Sequence, residues 1–188
     1  AIIREKIPGM EKGAFKRAAE GKEGYLFPDT YHVPLTFSAA QMIALMASTS
    51  EKSLISLAPS FAASTRTREE IIIMASILER EAKSEESMRL VSGILWKRLD
   101  SGMPLQVDAS FAYLLDKTSK EVTLDDLKID SPYNTYKYKG LPPAPINNPG
   151  RTAIEAALSP TESPYFYYLT TKDGTFHYAR TFTDHKKN

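Results

Sequence analysis

The sequence predicts an α+β fold: a mainly helical body, a C-terminal β-hairpin and a long Pro- and Tyr-rich loop. Three observations predict it. Residues 68–82 read REEIIIMASILEREA, and seven of the eight positions from Ile71 to Leu78 are apolar, with the small Ser76 the exception. A run that is apolar on every side suits a buried helix rather than an amphipathic surface one. PYFYYLTT and TFHYARTF flank Asp173-Gly174, the pattern of a hairpin with a two-residue D-G turn. Residues 130–150, DSPYNTYKYKGLPPAPINNPG, hold five prolines, three tyrosines and three asparagines. Roughly twenty residues without regular structure inside a compact domain mark a functional loop or a linker. A linker is poorer in Tyr and more charged, so this one reads as a stiff, preshaped binding wall.

The other elements follow in order. Residues 1–24 are mixed in charge and predict a helix over 10–20, ended by Gly21. GYLFPDTYHV, residues 24–33, is rich in aromatic residues and carries the turn signal Pro28-Asp29. It reads either as a loop packed on the core or as an aromatic wall of a ligand cleft. SAAQMIALMAS, residues 38–48, predicts a helix with Ser38 as N-cap and Gln41 completing a capping box. Within residues 52–66, Pro59 starts a short helical turn or breaks the chain. Thr67 and Glu70 form a T-x-x-E capping box for the central helix. Ser84 caps a helix over 85–99, whose Met88, Val91, Leu95 and Leu99 share one face, and Ser101-Gly102 ends it. Residues 103–107 read as an extended link. Asp108 is placed to N-cap a helix through Leu115, and Thr123 with Asp126 forms a capping pair for LDDLKI. Residues 151–158 predict a short helix ending before Pro160, and the final DHKKN reads as the approach to a last helix.

Composition narrows the function. The chain has 188 residues, 42% apolar and 25% charged, the profile of a globular protein with a real core. A net charge of +1 gives no support to nucleic-acid binding. There is no cysteine, hence no disulfide and no thiolate chemistry. Three scattered histidines (His32, His177, His185) do not suggest a zinc site, and no metal or cofactor is expected. No stretch approaches the ~18 apolar residues of a membrane span, and the opening AIIREKIPGM does not read as a signal peptide.

Two acids, Glu79 and Glu81, close the apolar helix. A carboxylate reached from such a helix is partly desolvated, which raises its pKa and keeps a proton available near neutral pH. Two residues apart, they point about 200° away from each other and do not form a catalytic pair. Helical side chains lean toward the N-terminus, so Glu79 overhangs the small Ala75 and Ser76, leaving room for a ligand, whereas Glu81 overhangs Ile77 and Leu78. Glu79 is therefore the expected catalytic acid. The competing reading makes Glu79 an i,i+4 partner of Lys83 and leaves Glu81 and Glu85 solvated at the helix end. Ser76 has no neighbouring base in sequence. Glycoside chemistry fits the Tyr/Pro/Asn loop. Ordinary glycosidases use two carboxylates, and a second one is not evident; a single acid suffices if the substrate supplies its own nucleophile.

Six segments carry a resemblance. They are EGYLFPDTY at 23–31, ASILEREA at 75–82, LWKRLDSGMPLQVDAS at 95–110, SPYNTYKYKGLPPAPINNPG at 131–150, ALSPTESPYFYYL at 157–169 and TFHYARTFTDHKK at 175–187. Together they resemble the endolytic murein lytic transglycosylases of the YceG-like (MltG) family, in the family's order across residues 23–187. The resemblance implies a YceG-like catalytic domain over 23–188, with 1–22 as a linker or the tail of a preceding LysM-like portion. It implies cleavage of the β-1,4 bond between N-acetylmuramic acid and N-acetylglucosamine in nascent peptidoglycan, leaving 1,6-anhydro ends. It places the catalytic glutamate on Glu79, a supporting role on Glu81, and part of the cleft on Gln106 and Asp108. Tyr133, Asn134, Thr135 and Tyr136 with Leu141, Pro142 and Pro143 look like substrate-binding wall. It further implies an N-terminal membrane helix that this sequence lacks, action at the extracytoplasmic face of a bacterial membrane, glycan strands as substrate and peptidoglycan synthases as partners. Two alternatives stand beside it: a glycan-binding module without turnover, and a hydrolase using Glu79 with Asp108.

Overall fold

The computed structural model describes residues 11, 13–115, 121–171 and 173–187. Its order is α1 (Ala14–Ala19), α2 (Ala39–Ser56), α3 (Ala58–Ala63), α4 (Arg68–Glu81), α5 (Glu85–Asp100), α6 (Ala109–Leu115), a 3₁₀ turn (Asp126–Lys128), α7 (Arg151–Leu158), β1 (Tyr167–Thr170), β2 (Phe176–Ala179) and α8 (Phe182–His185). The expected α+β architecture is present, half helical with a two-stranded antiparallel hairpin. No helix among the described residues is long and apolar enough to cross a membrane.

Local chemistry sets most boundaries. The Ser38 hydroxyl accepts the Gln41 amide at 3.2 Å while the Ser38 amide donates to Gln41 Oε1 at 2.9 Å. Thr67 and Glu70 repeat the arrangement at α4, with the Thr67 amide 2.8 Å from Glu70 Oε2. Such a box satisfies amides that a helix start otherwise leaves open. Ser84 Oγ accepts the Ser87 amide at the start of α5. At the other end Gly102 turns left-handed (φ 64°), letting the Met103 amide reach Arg98 O and the Gly102 amide reach Leu99 O. That 6→1 and 5→2 pattern is a Schellman stop.

Several boundaries differ from expectation. The helix begun at Ser38 runs on to Ser56, because nothing between Ser48 and Ser56 breaks it and Leu54 buries against the core; Pro59 then opens α3. The helix expected over 10–20 is six residues long among those described, and Met10 and Lys12 lie outside them. LDDLKI forms only a 3₁₀ turn, although Thr123 and Asp126 do exchange hydrogen bonds. The hairpin loop has three residues rather than two. The Thr171 amide still donates to Thr175 O, and the Gly174 amide donates to Thr171 O with Gly174 at φ 90°. The left-handed Gly174 lets the chain reverse within this loop. After it the chain folds into the one-turn helix α8, capped by Thr181.

The core forms around α4. Every residue from Ile71 to Leu78 is buried. α7 covers one side with Ala153, Ile154, Ala156 and Ala157, and α5 another with Met88, Val91, Leu95 and Trp96. The Trp96 indole N–H donates to Ala157 O at 3.1 Å, so this large buried ring leaves no polar atom unpaired. Gly93 lets the chain after α7 cross α5: a Cβ there would lie 2.0 Å from Thr161 O. This packing fixes the C-terminal end of α4, where both acids stand.

Candidate active site

The last turn of α4 edges an open cavity of about 400 Å³. Glu79, Glu81 and Lys83 line one side; Thr170, Thr171, Gly174 and Phe176 of the hairpin line the other. Helical spacing turns the two acids apart, yet at a helix end both border the same space.

Glu79 is half-buried, and its Oε2 accepts the Gly150 amide at 2.9 Å. Its partner is thus the residue that N-caps α7, not Lys83. An amide at a helix start carries part of the positive end of the dipole and suits a carboxylate. The room expected over Ala75 and Ser76 is filled. Both are fully buried, and Ser76 Oγ accepts the Ile146 amide at 3.0 Å while donating to Ile73 O. The small side chains admit the Pro-rich loop rather than a ligand, and that loop delivers the Gly150 amide to Glu79. Pro28 closes in from the GYLFPDTYHV segment, its ring 3.8 Å from where a Cβ on Gly150 would sit. That segment is held by Asn148, whose Oδ1 accepts the Gly24 and Leu26 amides at 2.9 Å each.

Glu81 has the desolvated environment that the sequence suggested for Glu79. Tyr168 Oη donates to Glu81 Oε2 at 2.9 Å, and the Ala109 amide donates to the same carboxylate. Burial above all pushes the Glu81 carboxyl up to about 7, with the Asp108 charge adding to it; the Tyr168 hydroxyl, the Ala109 amide and Arg80 pull the other way. Solvation at a helix end is excluded for Glu81. Asp108 stands at the N-cap position of α6, its carbonyl accepting the Phe111 and Ala112 amides. Its Oδ1 accepts the Tyr136 hydroxyl at 2.7 Å. Burial, then this bond, raises the Tyr136 phenol well above its ordinary range.

Gln106 kinks the 103–107 link instead of extending it, at φ 53°, a left-handed conformation rare for residues other than glycine. Such strain costs on the order of 1–3 kcal/mol and is kept where the surroundings impose it. Here the Arg98 guanidinium donates to Gln106 Oε1 and to Pro104 O, and the Gln106 amide donates to Thr135 O. The strained residue is thus held between the Arg98 guanidinium and the Thr135 backbone.

The expected substrate wall divides. Tyr136 joins the Glu81–Asp108 layer. Tyr133 packs on the core and against Tyr113, ring centroids 5.4 Å apart. Asn134 and Thr135 are buried, 0% and 2% exposed, and their polar atoms are spent on backbone groups. Asn134 Nδ2 donates to Leu127 O and Ile129 O, and its Oδ1 accepts the Tyr136 and Lys137 amides. Thr135 Oγ1 accepts the Val107 amide. They build the wall without facing a ligand. Pro142 is buried, Pro143 is exposed, and Leu141 borders a different pocket beside Thr67 and Glu70 at the opposite end of α4.

Sequence reasoning missed Tyr168, Arg98, Phe176 and the Gly150 amide. Arg98 left a signal: Val91, Leu95 and Arg98 share one helix face, and a cation on an apolar face needs buried partners. Tyr168 left a weaker one, as an alternate residue of a strand beside a helix that ends in acids. The Gly150 amide left none, since a backbone donor has no sequence signature.

No group of three or more His, Asp or Glu among the described residues could hold a metal ion. Comparison with known proteins adds the following. The YceG-like family profile matches residues 2–188. The chain is 32% identical over 192 residues to an endolytic murein transglycosylase of Streptococcus pneumoniae (strain D39), covering 99% of this chain and 34% of that protein. It is 35% identical over 167 residues to an endolytic murein transglycosylase of Bacillus subtilis, covering 88% of this chain and 46% of that one. The fold superposes on a crystal structure of a yceG-like protein from Listeria monocytogenes with a TM-score of 0.83 at 32% identity, over 98% of this chain and 62% of the other. The chain spans about a third to a half of the length of the curated relatives it matches.

Proposed function

The chain belongs to the YceG-like family, and on that premise we propose that it is the catalytic portion of an endolytic peptidoglycan lytic transglycosylase. Its bond is the β-1,4 link from N-acetylmuramic acid to N-acetylglucosamine in nascent strands, and its product carries a 1,6-anhydro end. The observation that carries the reading is an open cavity edged by two helix-borne acids, of which Glu79 has one oxygen held by the Gly150 amide at a helix start. The names of its relatives in Streptococcus pneumoniae and Bacillus subtilis support the substrate class.

In the proposed cycle Glu79 gives its proton to the glycosidic oxygen as the bond to the muramoyl C1 breaks. Positive charge develops on that ring. The Glu79 carboxylate then takes the proton of the C6 hydroxyl, and O6 closes onto C1. One residue acts as acid and then base, the proton count closes, and no water is consumed. The Gly150 amide holds one carboxylate oxygen while the other reaches the substrate. Glu81, Asp108 and Gln106 form the layer that orients the helix end. In the cell we place this chemistry on the extracytoplasmic side of a bacterial membrane, anchored by a preceding helix and working beside peptidoglycan synthases.

A second reading reverses the acids. Its support is the Glu81 carboxyl, which titrates at about 7 and so keeps a proton near neutral pH, as a general acid must. Glu79→Gln and Glu81→Gln separate the two. With uncrosslinked glycan strands and mass spectrometry of the products, Glu79→Gln is expected to lose anhydro ends by at least ~100-fold, the usual scale of general acid catalysis. Glu81→Gln is expected to lose less. Full activity in Glu79→Gln rejects the assignment, and a larger loss in Glu81→Gln exchanges the two roles.

A further inference from the structure

We infer that Phe176 of the hairpin is a sugar-stacking subsite beside the two acids, taking the apolar face of a pyranose ring next to the scissile bond. This rests on the proposed glycan chemistry and adds a residue to it. The expected wall came from the 130–150 loop, whose Asn134, Thr135 and Pro142 are buried. The aromatic ring that lines the cavity with Glu79 and Glu81 comes instead from β2.

The ring is half-buried, so part of it is open to the cavity, and it is braced from behind. In the hairpin register Tyr168 pairs with Tyr178 and Thr170 with Phe176, which puts these four side chains on one face. Tyr178 stacks on Phe176 with centroids 5.9 Å apart and planes 12° apart, and Tyr165 stacks on Tyr178 at 5.5 Å. The Tyr168 ring is tilted against Phe176 with centroids 6.4 Å apart, and its hydroxyl is anchored to Glu81. The acid layer and the ring are therefore one braced unit, and a residue held this way costs little ordering on binding. Aromatic faces suit the C–H-rich faces of pyranoses, and hydroxyl groups beside them suit the equatorial polar atoms. The exposed Thr170 stands on the same rim.

The test is calorimetric binding of uncrosslinked peptidoglycan glycan strands to the Glu79→Gln protein, which does not turn them over. Phe176→Leu keeps apolar bulk against the core but removes the flat face; Phe176→Tyr keeps the face. Expected are a roughly tenfold weaker Kd for Phe176→Leu, the scale of one aromatic contact, a parental Kd for Phe176→Tyr and a cooperative melting transition, well above the assay temperature, in all three. Equal affinity for Phe176→Leu and its parent, or no binding by the parent, overturns the subsite. Anhydro products from the unmutated chain report separately on the transglycosylase reading. Strand binding that depends on Phe176 without such products rejects that reading and leaves the subsite standing.

Discussion

Glu81 ties the stability of this fold to pH. Its carboxyl titrates at about 7 in the folded chain against an ordinary 4.5. The folded state therefore holds the proton more tightly than the unfolded one. The stability it contributes is fully present below about pH 4.5 and is lost as pH rises through about 7. The difference corresponds to roughly 3 kcal/mol. Asp173, held down to about 2 by the Thr171 hydroxyl and the Thr175 amide, acts in the opposite sense and only at lower pH. Urea unfolding at pH 5 and pH 8 reads the effect. The difference between the unmutated chain and Glu81→Gln should change by a few kcal/mol between the two, with Glu81→Gln the flatter. An identical pH slope in both would mean that Glu81 is solvated.

At the scale of elements, the fold depends on close approach. α4 is apolar on every side because it is covered on every side, and α7 comes near it through a row of alanines. α5 is crossed at Gly93 by the segment that leads into the hairpin, which carries Tyr168 and Phe176 to the cavity. Gly93→Ala would put a methyl group 2.0 Å from Thr161 O, a backbone atom whose neighbouring amide is bonded to Arg89 O at 2.9 Å. Neither side can yield cheaply, so thermal denaturation should show a loss of at least about 2 kcal/mol. Activity should fall with it as the hairpin wall shifts. An unchanged melting temperature would show that this crossing does not position the hairpin.

For the molecule as a whole, what was legible in the sequence was local. The boxes at Ser38 and Thr67, the cap at Ser84, the stop at Gly102 and the break at Pro59 each act within a few residues of chain. The hairpin strands were legible by alternation, though not the length of their loop. The site was legible only in part, because its partners are far apart in sequence. Glu81 meets Tyr168 across 87 residues, and Glu79 meets Gly150 across 71. Small side chains behind Glu79 read as room for a ligand, but in a close-packed interior such room is filled by another segment of the same chain. Asn134 and Thr135 read as ligand contacts because polar residues in a loop suggest them; instead they pair with backbone groups of irregular segments, Asn134 with Leu127, Ile129, Tyr136 and Lys137 and Thr135 with Val107.

In the proposed cycle the bond breaks without water, through closure of the substrate's own hydroxyl. The most direct measurement digests uncrosslinked glycan strands in heavy-oxygen water and reads the new ends by mass spectrometry. The expected ends are 1,6-anhydromuramoyl and carry no heavy oxygen. Reducing muramoyl ends labelled with heavy oxygen would contradict it and identify a hydrolase.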